Sequence, residues 1–237
     1  TSQATYPKEI RLRGYNPVLE GHPKQIVKLA DAINKARKPL FYVGGGVIAG
    51  NASRELTALA RKANIPVTTT LMGLGAFPET DPLALRMLGM HGSVAANHAV
   101  SHCDLLVSVG ARFDDRVTGK ISEFAPNAVI AHIDIDPSAI DKSVKADIPV
   151  VGHVKQVLTE LIARVKPVER NAWLKEVAQW QEQHPFTYDR ESSSVLPQYV
   201  IEQIYEVTRG DAIIVTDVGQ HQMWCAHFFK YTKPRTF

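Results

Sequence analysis

The chain has 237 residues, of which 45% are hydrophobic and 22% charged, with a net charge of +3. That suffices for the core of one large domain or a domain and a half, and excludes a wholly disordered chain. The basic residues form no long blocks and no aromatic stripe interleaves with them, which argues against a nucleic-acid surface.

No apolar run approaches the ~20 residues of a membrane span, and the N-terminus lacks the regions of a signal peptide. Cys103 and Cys225 stand alone, without a CxxC partner, so neither a disulfide scaffold nor a zinc ribbon is written here. Free thiols point to a reducing, cytoplasmic setting. The chain opens at Thr1 in an extended polar stretch and stops at Phe237, just after what reads as a strand and helix. That is the pattern expected of a segment cut from a longer chain.

From His22 helices and strands alternate. Ile26, Leu29, Ala30 and Ile33 recur at helical spacing. Pro39 closes that helix, and residues 39–43 (PLFYV) predict a short buried strand running into Gly44-Gly45-Gly46. Asn51 or Ser53 can cap the next helix, whose Leu56, Leu59, Ala60 and Ala63 share one side. A second strand is expected over Ile65–Leu71, followed by a Gly/Pro-rich loop through MGLGAFPETDP to Leu88–Gly92. A helix over Ser93–His102 precedes a strand over Asp104–Gly110. Two further strands are expected at Ala128–Ile135 and Asp147–Val151, and Val154, Leu158, Leu161 and Val165 mark a closing helix.

Short strands buried on both faces and alternating with amphipathic helices define an α/β fold, a parallel sheet flanked by helices. Its crossovers should be right-handed, and its ligand should lie beyond the carboxyl ends of the strands. Residues 20–165 form this central domain. Residues 166–195 are polar, contain Pro167, Pro185 and Ser192–Ser194 with one Trp-bearing helix (Asn171–Gln183), and read as a linker. Residues 196–237 read as the incomplete start of a second α/β domain. There Val200, Ile204 and Val207 form a helix face, and a strand over Asp211–Val218 runs into Gly219-Gln220-His221.

Each polar motif admits two readings. Gly44-Gly45-Gly46 after a strand permits close backbone approach with N–H groups free for a phosphate, or makes only a tight turn. Gly44, Gly46 and Gly50 are spaced one residue too long for the dinucleotide fingerprint. In Gly110-Ala-Arg-Phe-Asp-Asp-Arg116, two guanidiniums and two carboxylates follow a strand; they suit a diphosphate and a sugar hydroxyl, or neutralise one another as salt bridges. Asp134 can bind sugar hydroxyls, while Asp136 before Pro137 can be a turn former. His98 and His102 sit at i, i+4, but no third metal ligand is evident and a solvated helix face is favoured. Cys103 reads as a buried inert thiol. Gly219-Gln220-His221 precedes a helix, another anion-binding position.

Taken together, TLMGLGAFP (70–78), MLGMHG (87–92), VGARFDDR (109–116), HIDIDP (132–137) and TDVGQHQM (216–223) resemble the large catalytic subunit of the acetolactate (acetohydroxyacid) synthase family. The resemblance runs from Gly14-Tyr-Asn-Pro to Lys233-Pro-Arg and implies a three-domain thiamine-diphosphate enzyme. Residues 1–19 would be the linker from a first domain, 20–165 the central FAD-binding domain, and 196–237 the start of the thiamine-diphosphate domain. The implied FAD contacts are Gly44, Gly45, Gly46, Thr70, Leu71, Leu88, Gly89, Met90, His91, Gly110, Ala111, Arg112, Asp114, Arg116, Val117, Asp134 and Ile135. The Gly152 backbone belongs with them, although His153 stands where the family carries aspartate. Val218, Gly219, Gln220 and His221 would contact thiamine diphosphate, and Met90, Asp115 and Arg116 would lie near the substrate channel.

The activating glutamate and the Mg2+ motif have no counterpart in this sequence, so no catalytic or metal residue is expected in the chain itself. The implied parent reaction condenses two 2-ketoacids with decarboxylation for branched-chain amino acid synthesis, in a homodimer or tetramer with a possible regulatory subunit. FAD would be held largely as a structural element. Rival readings are a non-catalytic flavin- or nucleotide-binding module, or a related thiamine enzyme such as glyoxylate carboligase or an oxalyl-CoA-type decarboxylase.

Overall fold

The structure, a computed structural model, describes Thr5 and residues 17–237. Most of the expected linker 1–19 and the start of the similarity at residues 14–16 lie outside the described residues. Chain order begins with α1 (Pro23–Lys35), β1 (Pro39–Val43), α2 (Gly45–Ala49), α3 (Ser53–Ala63), β2 (Val67–Thr69) and β3 (Ala84–Met87). It continues with α4 (Val94–His102), β4 (Leu105–Val109), α5 (Asp115–Thr118), β5 (Val129–Asp134), β6 (Ile148–Val151) and α6 (Val154–Arg164). Helices α7 (Asn171–Gln183), α8 (Pro197–Thr208) and α9 (Gln220–Phe228) follow.

Local chemistry sets these limits. Pro23 opens α1, where its missing N–H costs nothing. Asn64 ends α3 in the left-handed conformation, at φ 50°. The Ser93 hydroxyl accepts from Ala96 N–H at 3.0 Å and starts α4.

The sheet order is β3-β2-β1-β4-β5-β6, every pair parallel. The chain winds outward from β1 to β3, returns to place β4 beside β1, and winds outward again. Side-chain alternation divides the core accordingly. Phe41, Val43, Val107, Val109 and Ile133 face α1, α3 and α6, while Leu40, Tyr42, Leu106 and Ile130 face α4 and α7. The reversal between β1 and β4 is a topological switch point, where parallel sheets open a crevice at their carboxyl edge.

Three expectations need correction. The Gly/Pro-rich loop contains β3, a short edge strand whose register shifts against β2 and whose Arg86 has φ 63°. Such an irregular edge carries no clean alternation.

The helix expected within residues 166–195, α7, forms with the expected bounds but packs on the sheet instead of serving only as a tether. Trp173 and Val177 belong to the core, and Trp173 Nε1 donates to Pro39 O at 2.9 Å. At the head of α7, the buried Arg170 guanidinium donates to carbonyls at the ends of α1 and α3, Ile33 O and Ala63 O. Basic groups are favoured at such carboxyl ends.

Residues 211–218 form no strand. They lack a partner strand among the described residues, and Ile213, Val215 and Val218 are exposed. A strand is held by its ladder, and apolar sequence alone does not make one.

Candidate functional site

The glycine turn after β1 meets the turn after β4 across the switch point. Gly44 N–H donates to Val109 O and Gly46 N–H to Gly110 O, both at 3.0 Å. A Cβ on Gly44 would lie 2.3 Å from Gly110 O. Gly110 itself has φ +57°, and a Cβ on it would lie 2.9 Å from Gly46 Cα. The glycines therefore serve backbone-to-backbone packing, and with the N–H groups of Gly44 and Gly46 both bonded, the tight-turn reading is the one that holds for them. Thr70 N–H donates to Val43 O at 2.8 Å, bringing Thr70 and Leu71 to the same edge. Met72, which sequence reasoning missed, lies against Gly45 with its side chain exposed.

Behind this edge runs a row of polar side chains. Tyr42, Ser108 and His132 are neighbours in register on β1, β4 and β5, and all are fully buried. Tyr42 OH donates to Arg112 O at 3.0 Å and Ser108 Oγ to Ala111 O at 2.9 Å. His132 Nε2 also reaches Ala111 O at 3.0 Å. Buried polar groups need partners, and each of these three finds one in the Gly110-Ala111-Arg112 turn, while His132 Nδ1 has none among the described residues. Sequence reasoning missed this row, which shows in the sequence only as Tyr42, Ser108 and His132 within the apolar runs PLFYV, LLVSV and VIAHID.

The turn presents charge to solvent. Arg112 Nη2 lies 3.5 Å from Asp114 Oδ2, and Arg116 Nε lies 3.9 Å from Asp115 Oδ2, all four side chains being largely exposed. A closed salt-bridge cluster is not what forms, because such loose exposed pairs are worth under about 1 kcal/mol. Asp114 caps α5 by accepting from Asp115 N–H at 3.1 Å. A crevice of about 310 Å³ beside them is lined by Arg112, Asp114, Asp115, Asp136, Ser138 and Lys142. Ser138 and Lys142 were not singled out in the sequence. Asp136 is a turn former, accepting from Ser138 N–H at 2.9 Å.

On the other flank, Leu88 N–H donates to Thr69 O at 3.0 Å and Met90 N–H to Arg116 O at 2.9 Å. Gly89, at φ +105°, leaves room for Arg116 O, and the Asn97 amide bonds both Gly89 N–H and Gly89 O. Leu88–His91 and Arg116–Val117 thus form one unit, with Met90 exposed. At the β5 end, Gly152 N–H donates to Asp134 O at 2.9 Å, with Ile135 partly exposed alongside. Burial opposes ionisation of Asp134, but the His132 imidazole and the N–H groups of Asp136 and Ile135 together hold its carboxyl below the usual range. His153 heads α6, its N–H donating to Leu19 O at 2.8 Å.

The other candidates make none of these contacts. Val218–His221 form an exposed turn at the start of α9. His98 and His102 are not simply solvated: they pack on Trp180, at ring-centroid distances of 5.4 and 5.1 Å. No metal-holding group of three or more His, Cys, Asp or Glu exists among the described residues. Burial pushes the Cys103 thiol up to about 12, so it is no nucleophile. No helix of the described residues is long and apolar enough to cross a membrane.

A parallel sheet with order β3-β2-β1-β4-β5-β6, and glycines, loosely paired arginines and Asp134 along its carboxyl edge, defines a doubly wound α/β protein, a class whose ligands lie at that edge. The chain belongs to the thiamine pyrophosphate enzyme family, whose central-domain model matches residues 26–161. It is 44% identical to the acetolactate synthase large subunit of Buchnera aphidicola subsp. Schizaphis graminum, across 97% of this chain and 41% of that one. It is 48% identical to the probable acetolactate synthase large subunit of Methanocaldococcus jannaschii, across 98% and 41% respectively. With the acetolactate synthase isozyme 3 large subunit of Escherichia coli the identity is 41%, across 97% and 41%. The chain spans about two fifths of the length of these curated relatives.

Proposed function

We propose that this chain is the cofactor-holding part of an acetolactate synthase catalytic subunit, with FAD along the carboxyl edge of its sheet. The observation that carries the reading is convergence. Residues spread from Gly44 to Gly152 meet on one edge, and the relatives at 41–48% identity are acetolactate synthase large subunits.

The residues suit such a group. The exposed guanidiniums of Arg112 and Arg116 offer forked donors to a diphosphate. Asp134 offers an ionised acceptor to sugar hydroxyls, and the exposed Met72 and Met90 offer soft apolar surface to a flat ring. Thr69 Oγ1, at the carboxyl end of β2, is buried without a hydrogen-bond partner among the described residues, a free polar atom at the same edge. The Gly44–Gly46 and Gly110–Arg112 backbone shapes the floor, and the Tyr42–Ser108–His132 row holds it rigid.

Thiamine diphosphate, when bound, supplies the decarboxylation and carbon–carbon bond-forming chemistry. Val218–His221 are its contacts in this reading, with Mg2+ ligands and the activating glutamate supplied by parts of the subunit beyond these motifs. Met90, Asp115 and Arg116 border the path of the 2-ketoacids. Assembly of the full-length subunit as a homodimer or tetramer, a regulatory subunit and a cytoplasmic location belong to the same proposal. For the isolated chain, the exposed turn at 218–221 favours a second reading, that of a flavin-binding module without activity. Titrating the purified chain with FAD while following flavin fluorescence tests both readings: saturable quenching is expected, and its absence at FAD far above the protein concentration overturns them.

A further inference from the structure

The segment after α9 docks back onto the loop between β2 and β3. Tyr231 is fully buried there with Leu74, Ala226 and Phe229. Gly75, at φ +78°, makes the approach possible, since a Cβ on it would lie 2.1 Å from Lys233 O. Glu79 joins the two by a reciprocal pair: its N–H donates to Tyr231 O at 3.0 Å, and its Oε2 accepts from Tyr231 N–H at 2.8 Å. Its other oxygen, Oε1, is buried with no hydrogen-bond partner among the described residues. A carboxylate oxygen so placed is costly when charged and much less so when neutral.

We infer that Glu79 is a titrating latch: neutral, it holds the segment after α9 on the loop between β2 and β3, and ionised, it loosens that hold. The inference does not depend on which cofactor the chain binds. Burial raises the Glu79 carboxyl to about 7, against the opposing pull of the Tyr231 N–H, Arg86 and Lys230.

The surrounding groups leave Glu79 as the element that titrates at the joint. Arg86 from β3 and Lys230 from the docked segment are the cations facing it. Asp81, two residues on, is paired with Arg61 of α3 at 2.8 Å. Burial raises the Tyr231 phenol and the Cys225 thiol, keeping both protonated, and lowers His227 to about 4, keeping it neutral. His91, which bonds His227 through its backbone, is the remaining titratable neighbour.

A group whose docked pKa lies above its free value favours docking below the free value and loses that support as pH rises through the docked one. The window runs from 4.5, the free value, to about 7. The experiment is hydrogen exchange of the full chain at the Tyr231 amide, corrected for intrinsic rate. Protection should fall about tenfold between about pH 5.5 and about pH 7.5 in the wild type. In Glu79→Gln, whose amide keeps the acceptor for Tyr231 N–H, protection should persist and lose that pH dependence. Gly75→Ala should lower protection at every pH while the slope remains. A pH dependence equal in wild type and Glu79→Gln would overturn the latch, as would a flat wild-type profile.

Discussion

Tyr42, Ser108 and His132 lie behind the carboxyl edge, yet each bonds the turn that carries Arg112. Removing the hydroxyl in Tyr42→Phe deletes the bond to Arg112 O and should cost about 1–2 kcal/mol of stability, read as a shifted urea midpoint at unchanged slope. Arg112→Ala should leave stability almost untouched, since the side chain is exposed and its pairing loose. Its effect belongs to binding: losing a charge-assisted bond worth about 1.5–3 kcal/mol should weaken FAD about tenfold to a hundredfold. His98→Ala removes packing against Trp180, so it should shift stability by up to about 1 kcal/mol and leave FAD affinity unchanged. Equal affinity losses for Arg112→Ala and His98→Ala would remove Arg112 from the site.

At the scale of elements, α7 tests what belongs to the sheet. Trp173→Ala should cost about 3–5 kcal/mol in urea denaturation, as for other buried aromatic truncations. Val207→Ser, on the exposed face of α8, should stay within about 0.5 kcal/mol. If both substitutions were silent, α7 would be a tether after all. The regular strands were legible because PLFYV, DLLVSVG and AVIAHIDI each pack apolar side chains on both faces of a parallel sheet. β3 was not, because four residues at an irregular edge carry too little pattern. Asp211–Val218 misled in the opposite sense: its sequence has strand character, but pairing is decided by a neighbour that sequence periodicity does not contain. The candidate site was legible as a set of loops at strand ends. What hid was the row behind it, because register across three strands is tertiary information.

For the whole molecule, holding a cofactor and using one are separate tasks. In the proposed function the residues on the carboxyl edge hold FAD, whereas Val218–His221 lie on an exposed turn. With thiamine diphosphate, Mg2+ and FAD supplied, the isolated chain should form acetolactate from pyruvate no faster than background. Metal-assisted neutralisation of the diphosphate contributes several kcal/mol, and no metal-holding group exists among the described residues to provide it. Turnover that survives repurification and vanishes in a Gln220→Ala, His221→Ala double substitution would contradict that separation.

The central claim, that FAD lies along the carboxyl edge of this sheet, is tested most directly by a flavin fluorescence titration of the wild-type chain beside Arg112→Ala. Saturable quenching in the wild type, shifted about tenfold or more to higher FAD by the substitution, is the predicted result. No change at FAD far above the protein concentration, or identical curves for the two proteins, would contradict it.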